Sequence, residues 1–287
     1  MKNIAFLGIG AMGERIASNL IDAGYQLHIW NRTAKKCQSL IEKGAVAYKS
    51  PRKALQNAQI AIAMLTDDEV SRQVWLHLDT GAINGLKPHT IVMEFSTLTP
   101  SWCCELKTEV NRRHCEFLDA PVVGSRPQAE AKQLIYLVGG KIDILKQVRD
   151  ILQINSRAIH HTGDVGTAMK IKLAVNALFS IQVAALSETL GFLTKTGIPL
   201  DSALDLLELM SITSPALKGI GILLKNQNYA PLFPIDLVTK DLSYAEQLAK
   251  SVGATAISLS TAKEIYQQAR EAGYGEDNIA GVARLFF

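Results

Sequence analysis

The chain has little of what marks secreted, metal-binding or polyanion-binding proteins. Its four cysteines, Cys37, Cys103, Cys104 and Cys115, form no C-x-x-C pair, and no histidine stands at metal-ligand spacing from them. Neither a disulfide framework nor a metal site is expected. A net charge of +3, without any run of five or more Lys/Arg, gives no reason to expect nucleic acid or an anionic membrane as a partner. Internal repeats, low-complexity segments and a disordered tail are missing. So are the basic segment, long apolar core and cleavage site of a secretory leader, and cytoplasmic residence is expected. What remains is an ordinary globular composition, 287 residues with 48% hydrophobic and 20% charged content, which suggests about two domains and a small-molecule ligand.

The N-terminus supplies the first motif. An apolar run at residues 4–7 feeds Gly8-Ile-Gly10-Ala11-Met12-Gly13, then an amphipathic stretch to Ala23 and a second apolar run at 26–30. Strand, glycine turn, helix, strand is the context in which G-x-G-x-x-G means dinucleotide binding. Gly8 permits the tight turn, Gly10 lets the backbone approach a pyrophosphate and Gly13 allows helix and strand to pack closely. The N–H groups that open the helix, at Ala11 and Met12, face the phosphates. An NAD site usually has Asp or Glu at the end of the second strand; here stand Asn31-Arg32-Thr33, with Lys35 and Lys36 behind. Arg32 can grip a 2′-phosphate in bidentate fashion, with Asn31 and Thr33 as neutral donors, so NADP is the expected cofactor. Thr33 could instead simply cap the next helix, and the two lysines could be its solvated face.

Further strand and helix signals alternate: helix 51–56, strand 59–65, helix 67–76, strand 90–94, a strand from 116 that runs into a Gly/Pro loop, strand 133–138, helix 142–151 and strand 158–161. This is the pattern of a doubly wound parallel sheet, an α/β Rossmann-type domain. Leu65 and Thr66 close one strand and Ser96 and Thr97 follow another, where such sheets bind ligands. Thr99 before Pro100 reads as an N-cap with proline at the first helical position. His160 and His161, adjacent on a strand, are expected to point oppositely, one exposed and one packed.

Residues 163–195 read as one helix, and 167–195 would run roughly 43 Å, enough to cross between domains. Lys172 and Asn176, spaced i,i+4, share a face. The longest uncharged run in it, 173–187, contains Asn176 and Gln182 and falls short of the about 20 apolar residues of a membrane span. Burial in protein is expected, and an apolar surface nearly all the way round favours a second subunit. Beyond it, 200–210, 215–225, 237–253 and 257–272 have helical periodicity, punctuated by Pro199, Pro215, Pro231 and Pro234. The expected organisation is an NADP-binding domain at 1–162, an interdomain helix at 163–195 and an all-α substrate and dimerisation domain at 196–287.

Taken together, Gly8-x-Gly10-x-Met12-Gly13, Asp119-Ala-Pro-Val122-x-Gly124, Gly163-x-Val-Gly166 through Lys172-x-x-x-Asn176, and Lys240-Asp241-Leu242 resemble the β-hydroxyacid dehydrogenase family over the whole chain. The resemblance implies that Lys172 is the catalytic acid/base and Asn176 orients substrate. It implies that Thr97, Gly124 and Lys240 contact cofactor or substrate, with Val123 and Ser125 beside Gly124 in the substrate loop. Asn31-Arg32-Thr33 looks like the NADP-preferring branch, nearest the glyoxylate/succinic semialdehyde reductases. The implied reaction is hydride transfer between NADP(H) and a short aldehyde or hydroxy acid, in a homodimer or homotetramer. 3-Hydroxyisobutyrate or tartronate semialdehyde, or an uncharged aldehyde or imine, are alternative substrates, and an NADP-holding module without turnover is the non-enzymatic one. Two positions depart from the family pattern. Val123 stands where serine is common near the substrate carboxylate, and Ala168 where glycine is common. The loop's backbone N–H groups at Gly124 and Ser125, and the side chains of Ser125, Arg126 and Lys240, are expected to supply donors instead.

Overall fold

A computed structural model describes residues 2–287. The chain divides into two compact units, one ending at Lys172 and the other running from Leu173 to Phe287.

Among the described residues the first unit is built on nine strands. These are β1 (Asn3–Leu7), β2 (Gln26–Trp30), β3 (Val46–Ala47), β4 (Ile60–Ala63), β5 (Ile91–Glu94), β6 (Glu116–Asp119), β7 (Val122–Val123), β8 (Leu134–Gly139) and β9 (Ser156–Gly163). They lie in the order β3-β2-β1-β4-β5-β6-β8-β7, with β9 also paired to β8. Helices α1 (Ala11–Asp22), α2 (Gln38–Glu42), α3 (Pro51–Leu55), α4 (Asp68–Leu76), α5 (Pro100–Asn111), α6 (Arg126–Glu130) and α7 (Ile142–Gln153) connect them. The strand residues divide by parity, as period-2 side chains must. Ile4, Phe6, Ile60, Ile62 and Met93 join one apolar cluster, while Ala5, Leu7, Ala61, Ala63 and Val92 join another with Trp75 and Trp102. Both faces are therefore covered, which is what doubly wound means.

The sheet is parallel from β3 to β6, but β8 runs antiparallel to both β6 and β7. This differs from the all-parallel alternation expected: β6 and β7 pair with β8 in one continuous register, Asp119 opposite Gly139 and Val123 opposite Ile135. The chain therefore reverses between β7 and β8 through the short α6, which is no full crossover, and only a crossover lets the next strand run parallel. Two-residue β3 and five-residue α6 are likewise too short for a periodicity signal. His160 and His161 differ from expectation too. Both are exposed, since they sit on β9, paired only to β8, and His161 Nε2 lies 2.7 Å from the Gly140 carbonyl.

α8 (Thr167–Lys195) starts in the first unit and continues into the second, the division falling between Lys172 and Leu173. The cores explain that position: Met169 packs with the sheet cluster, Leu173 with the helical one. In the second unit α8 is joined by α9 (Leu200–Leu209), α10 (Pro215–Lys225), α11 (Ile235–Ser251), α12 (Ile257–Ala269), a π-helical turn at Arg270–Tyr274 and a 3-10 helix at Ile279–Leu285. Val183, Leu190, Ile220, Val238, Leu242, Tyr266 and Val282 form its core. α8 is long and apolar enough to cross a membrane by length and composition. Its buried polar residues nevertheless bond to protein: Ser180 Oγ donates to the Asn176 carbonyl, and Tyr266 Oη to the Ser180 carbonyl.

Candidate active site

The glycine turn is sterically determined. Gly8 has φ +98°, and a Cβ there would sit 2.2 Å from the Met64 carbonyl oxygen; a Cβ on Gly13 would sit 2.0 Å from that of Gly8. Both contacts rule out any side chain, so β1, β4 and α1 close on one another through glycine. Gly10 is different, because its absent Cβ would meet nothing within 4 Å. Gly10 is the N-cap of α1 and gives no side-chain cap, so the first-turn N–H groups of Ala11, Met12 and Gly13 point out of the helix end towards that open space. An open, donor-rich helix terminus at the switch point of a doubly wound sheet fits a dinucleotide pyrophosphate.

β2 delivers Asn31, Arg32 and Thr33 to the same carboxyl edge. Arg32, Thr33, Lys35 and Lys36 are exposed, and Thr33 stands at the N-cap of a 3-10 turn without making a side-chain cap bond. Its hydroxyl is thus not consumed by the helix. Asn31 has an internal role: Oδ1 accepts from Ile9 N at 3.0 Å and Nδ2 donates to the Thr33 carbonyl at 2.9 Å. It locks the end of β2 to the glycine turn, with the Arg32 guanidinium exposed beside it.

The neighbouring strand ends are tied by a buried carboxyl not among the residues expected to matter from the sequence. Glu94, fully buried at the end of β5, accepts from Ser96 N and Ser96 Oγ, and from Trp75 Nε1 and Ser71 Oγ on α4. Ser96 Oγ in turn accepts from Leu65 N at 2.7 Å, holding the loops of Leu65-Thr66 and Ser96-Thr97 together. Thr66 is exposed and Thr97 half-buried there. Burial pushes the Glu94 carboxyl up to about 7 against the pull of those donors. A lone acid closing an apolar strand was the available signal.

After β6 the chain continues through Pro121, whose carbonyl accepts from Leu137 N, into β7, where Val123 is half-buried and Gly124 is exposed with φ +123°. Ser125 is the N-cap of α6, and its N–H donates to Gln128 Oε1 at 2.9 Å in a capping box. The Ser125 N–H expected to meet a substrate carboxylate is therefore already taken, and the S-x-x-Q spacing was the legible sign of it. Val123 adds no donor, so this loop offers an acid fewer hydrogen bonds than the sequence suggested.

On α8, Lys172 and Asn176 are each 7% exposed, whereas Lys170 is in solvent. A lysine and an amide one turn apart and both out of water need a polar purpose. In the second unit Asn176 Nδ2 donates to Asp241 Oδ2 at 2.6 Å, which orients the amide with its N–H group toward Asp241. Asp241 is 3% exposed, and its Oδ1 lies 3.0 Å from Lys240 Nζ. That distance marks an ion pair, although Oδ1 makes no well-directed hydrogen bond. Lys240 also lies over the Tyr244 ring, 5.1 Å from its centroid. Buried beside Lys240, Asp241 supplies the counter-charge for that lysine, a role its place in the Lys240-Asp241-Leu242 motif does not reveal. Among the described residues no group of three or more His, Cys, Asp or Glu could hold a metal ion.

A dinucleotide-binding sheet followed by a helix that carries a buried lysine defines an NAD(P)-dependent oxidoreductase. Residues 3–163 match the family described as the NAD binding domain of 6-phosphogluconate dehydrogenase. Residues 166–286 match that described as the NAD-binding domain of NADP-dependent 3-hydroxyisobutyrate dehydrogenase. The chain is 29% identical over 279 residues to glyoxylate/succinic semialdehyde reductase 1 of Arabidopsis thaliana, covering 97% of this chain and 96% of that protein. It is also 29% identical over 293 residues to an NAD-dependent L-serine dehydrogenase of Pseudomonas aeruginosa, covering 100% and 98%. Among solved structures, 3-hydroxyisobutyrate dehydrogenase of Mycobacterium tuberculosis with L-serine superposes with a TM-score of 0.89 at 26% identity, over 99% of each chain. The chain belongs to the β-hydroxyacid dehydrogenase family and is an NAD(P)-dependent oxidoreductase acting on CH–OH groups.

Proposed function

We propose that this chain reduces short semialdehydes of the glyoxylate and succinic semialdehyde type with NADPH. The observation that carries the reading is Lys172, a buried lysine one helical turn from a buried, oriented asparagine. Bound NADPH supplies the hydride. Lys172 delivers a proton to the carbonyl oxygen as negative charge develops there, and its own positive charge stabilises that oxygen. In oxidation the neutral lysine takes the hydroxyl proton. Asn176 orients the substrate, held in one rotamer by Asp241, and Gly8, Gly10 and Gly13 shape the phosphate turn. Arg32 with Thr33 favours the 2′-phosphate, and charged hydrogen bonds of about 1.5–3 kcal/mol imply roughly a 10- to 100-fold preference for NADPH in kcat/KM.

The substrate carboxylate meets the Gly124 N–H, while the Val123 side chain and the Ser125 N–H give nothing. Glyoxylate and succinic semialdehyde are thus turned over with a high KM, and Val123→Ser lowers it. We also propose a homo-oligomer, supported by α8: Ile171, Leu178, Ala185 and Phe192, seven residues apart, are all exposed. Such a heptad stripe suits a second helix of the same kind. The deciding experiment is a panel of matched semialdehydes and uncharged aldehydes assayed with NADPH and NADH. A consistent advantage for the uncharged member of each pair, or equal use of both cofactors, contradicts the assignment.

A further inference from the structure

α8 begins without a cap of its own. Its N-cap position is Gly166, with φ +92° and no side chain, followed by Thr167, Ala168 and Met169. Such a start leaves the N–H groups of the first turn in need of acceptors. One is met locally, since Thr167 N donates to the Asp164 carbonyl at 3.1 Å. The others are met from far away in sequence: Asp119 Oδ1 accepts from Gly166 N at 3.0 Å, and Oδ2 from Met169 N at 3.1 Å. Asp119 is the last residue of β6, fully buried, and immediately precedes the Ala120 to Gly124 segment that carries β7. Its sheet partner is Gly139, and a Cβ on Gly139 would lie 2.3 Å from Asp119 Oδ1. The sheet thus leaves a space at that one position, which the carboxylate occupies. Burial raises the Asp119 carboxyl, opposed by the N–H groups of Gly166 and Met169.

We propose that Asp119 is a positioning residue for the reaction: by clamping the first turn of α8 to the end of β6, its carboxylate sets where Lys172 stands relative to the substrate loop. The inference rests on the reading of Lys172 as proton donor. Lys172 lies three residues beyond Met169, roughly 4.5 Å along the helix axis, so little chain separates the clamp from the reacting amine. The same carboxylate ends the strand from which the loop departs, so loop and lysine share one anchor. A negative charge at a helix N-terminus is favourable in itself, which keeps the clamp closed without substrate.

Two variants test the clamp from opposite sides. Asp119→Asn keeps the shape but puts an NH2 group against one of two N–H donors, whereas Gly139→Ala keeps the carboxylate and drives a methyl group into it. Assayed with NADPH and glyoxylate or succinic semialdehyde, each is expected to lower kcat roughly 10- to 100-fold, the range for a reacting group misplaced by about an ångström. The NADPH dissociation constant, read by fluorescence, should stay within about twofold. The double variant should be little worse than either single, because both break one contact. Normal kcat in folded Asp119→Asn and Gly139→Ala, with only Tm reduced, overturns the inference while leaving Lys172 its role. Turnover retained by Lys172→Ala overturns the functional reading and this inference with it. Should both clamp variants fail to fold, hydrogen exchange in the unaltered protein decides. Slow exchange at Gly166 and Met169 supports the clamp, and exchange as fast as at a frayed helix end overturns it.

Discussion

Glu94 accepts hydrogen bonds from three residues and lies wholly out of water, so at the residue scale it is the group whose ionisation stability must register. Its carboxyl titrates at about 7 when folded, against 4.5 for an ordinary glutamate. Between those values the folded chain holds a proton that the unfolded chain lacks, so stability falls as pH rises. The contribution, on the order of 3 kcal/mol, is full below about pH 4.5 and lost as pH rises through about 7. The Tm of the natural protein should therefore drop by a few degrees more than that of Glu94→Gln between pH 5.5 and 8.5. Parallel Tm curves would show that Glu94 is ionised throughout. Lys172→Ala is the other single-residue case. It should lower kcat about 10²–10⁴-fold, the usual worth of a general acid, while NADPH still binds; if Lys170→Ala does this instead, the exposed lysine is the acid.

At the scale of elements, the β1–α1 turn should tolerate a side chain at Gly10 far better than at Gly13. A methyl group on Gly13 has the Gly8 carbonyl oxygen 2.0 Å away, while one on Gly10 projects into open space. Gly13→Ala must therefore part helix from strand, and lowered Tm together with weakened NADPH binding is expected. Gly10→Ala should bind NADPH more weakly with nearly normal Tm, because its methyl group occupies the space above the helix end. Thermal melts with and without NADPH separate the two, and equal Tm losses would show that the open space at Gly10 is not where the phosphates lie.

For the whole molecule, the exposed stripe of α8 is the feature on which the proposed assembly rests. Ile171, Leu178 and Phe192 are 41%, 60% and 55% exposed, which is costly if left in water. The mass in solution should be at least double the 31.3 kDa of one chain, and Leu178→Lys should lower it by setting a charge within the stripe. Light scattering after gel filtration reads both, and a monomeric natural protein would refute the assembly.

The sequence by itself determined the βαβ opening, the alternation that makes a doubly wound sheet, and the long helix with Lys172 and Asn176 one turn apart. Those features are written in local periodicity and in glycine spacing, which act over a few residues. The fate of hydrogen-bond donors and acceptors was decided only by tertiary structure. Asn31, expected as a neutral donor to a phosphate, also braces β2 against the glycine turn in the fold. The Ser125 N–H, expected to face a substrate, closes a helix cap. Asp119 caps a helix starting almost fifty positions away, and Asp241 orients an amide 65 positions away. Partners so far apart meet only once the sheet and the helices have packed, and burial then makes each bond obligatory. No pattern along the chain records such pairings, because a buried polar group requires a partner in space and not at any particular spacing.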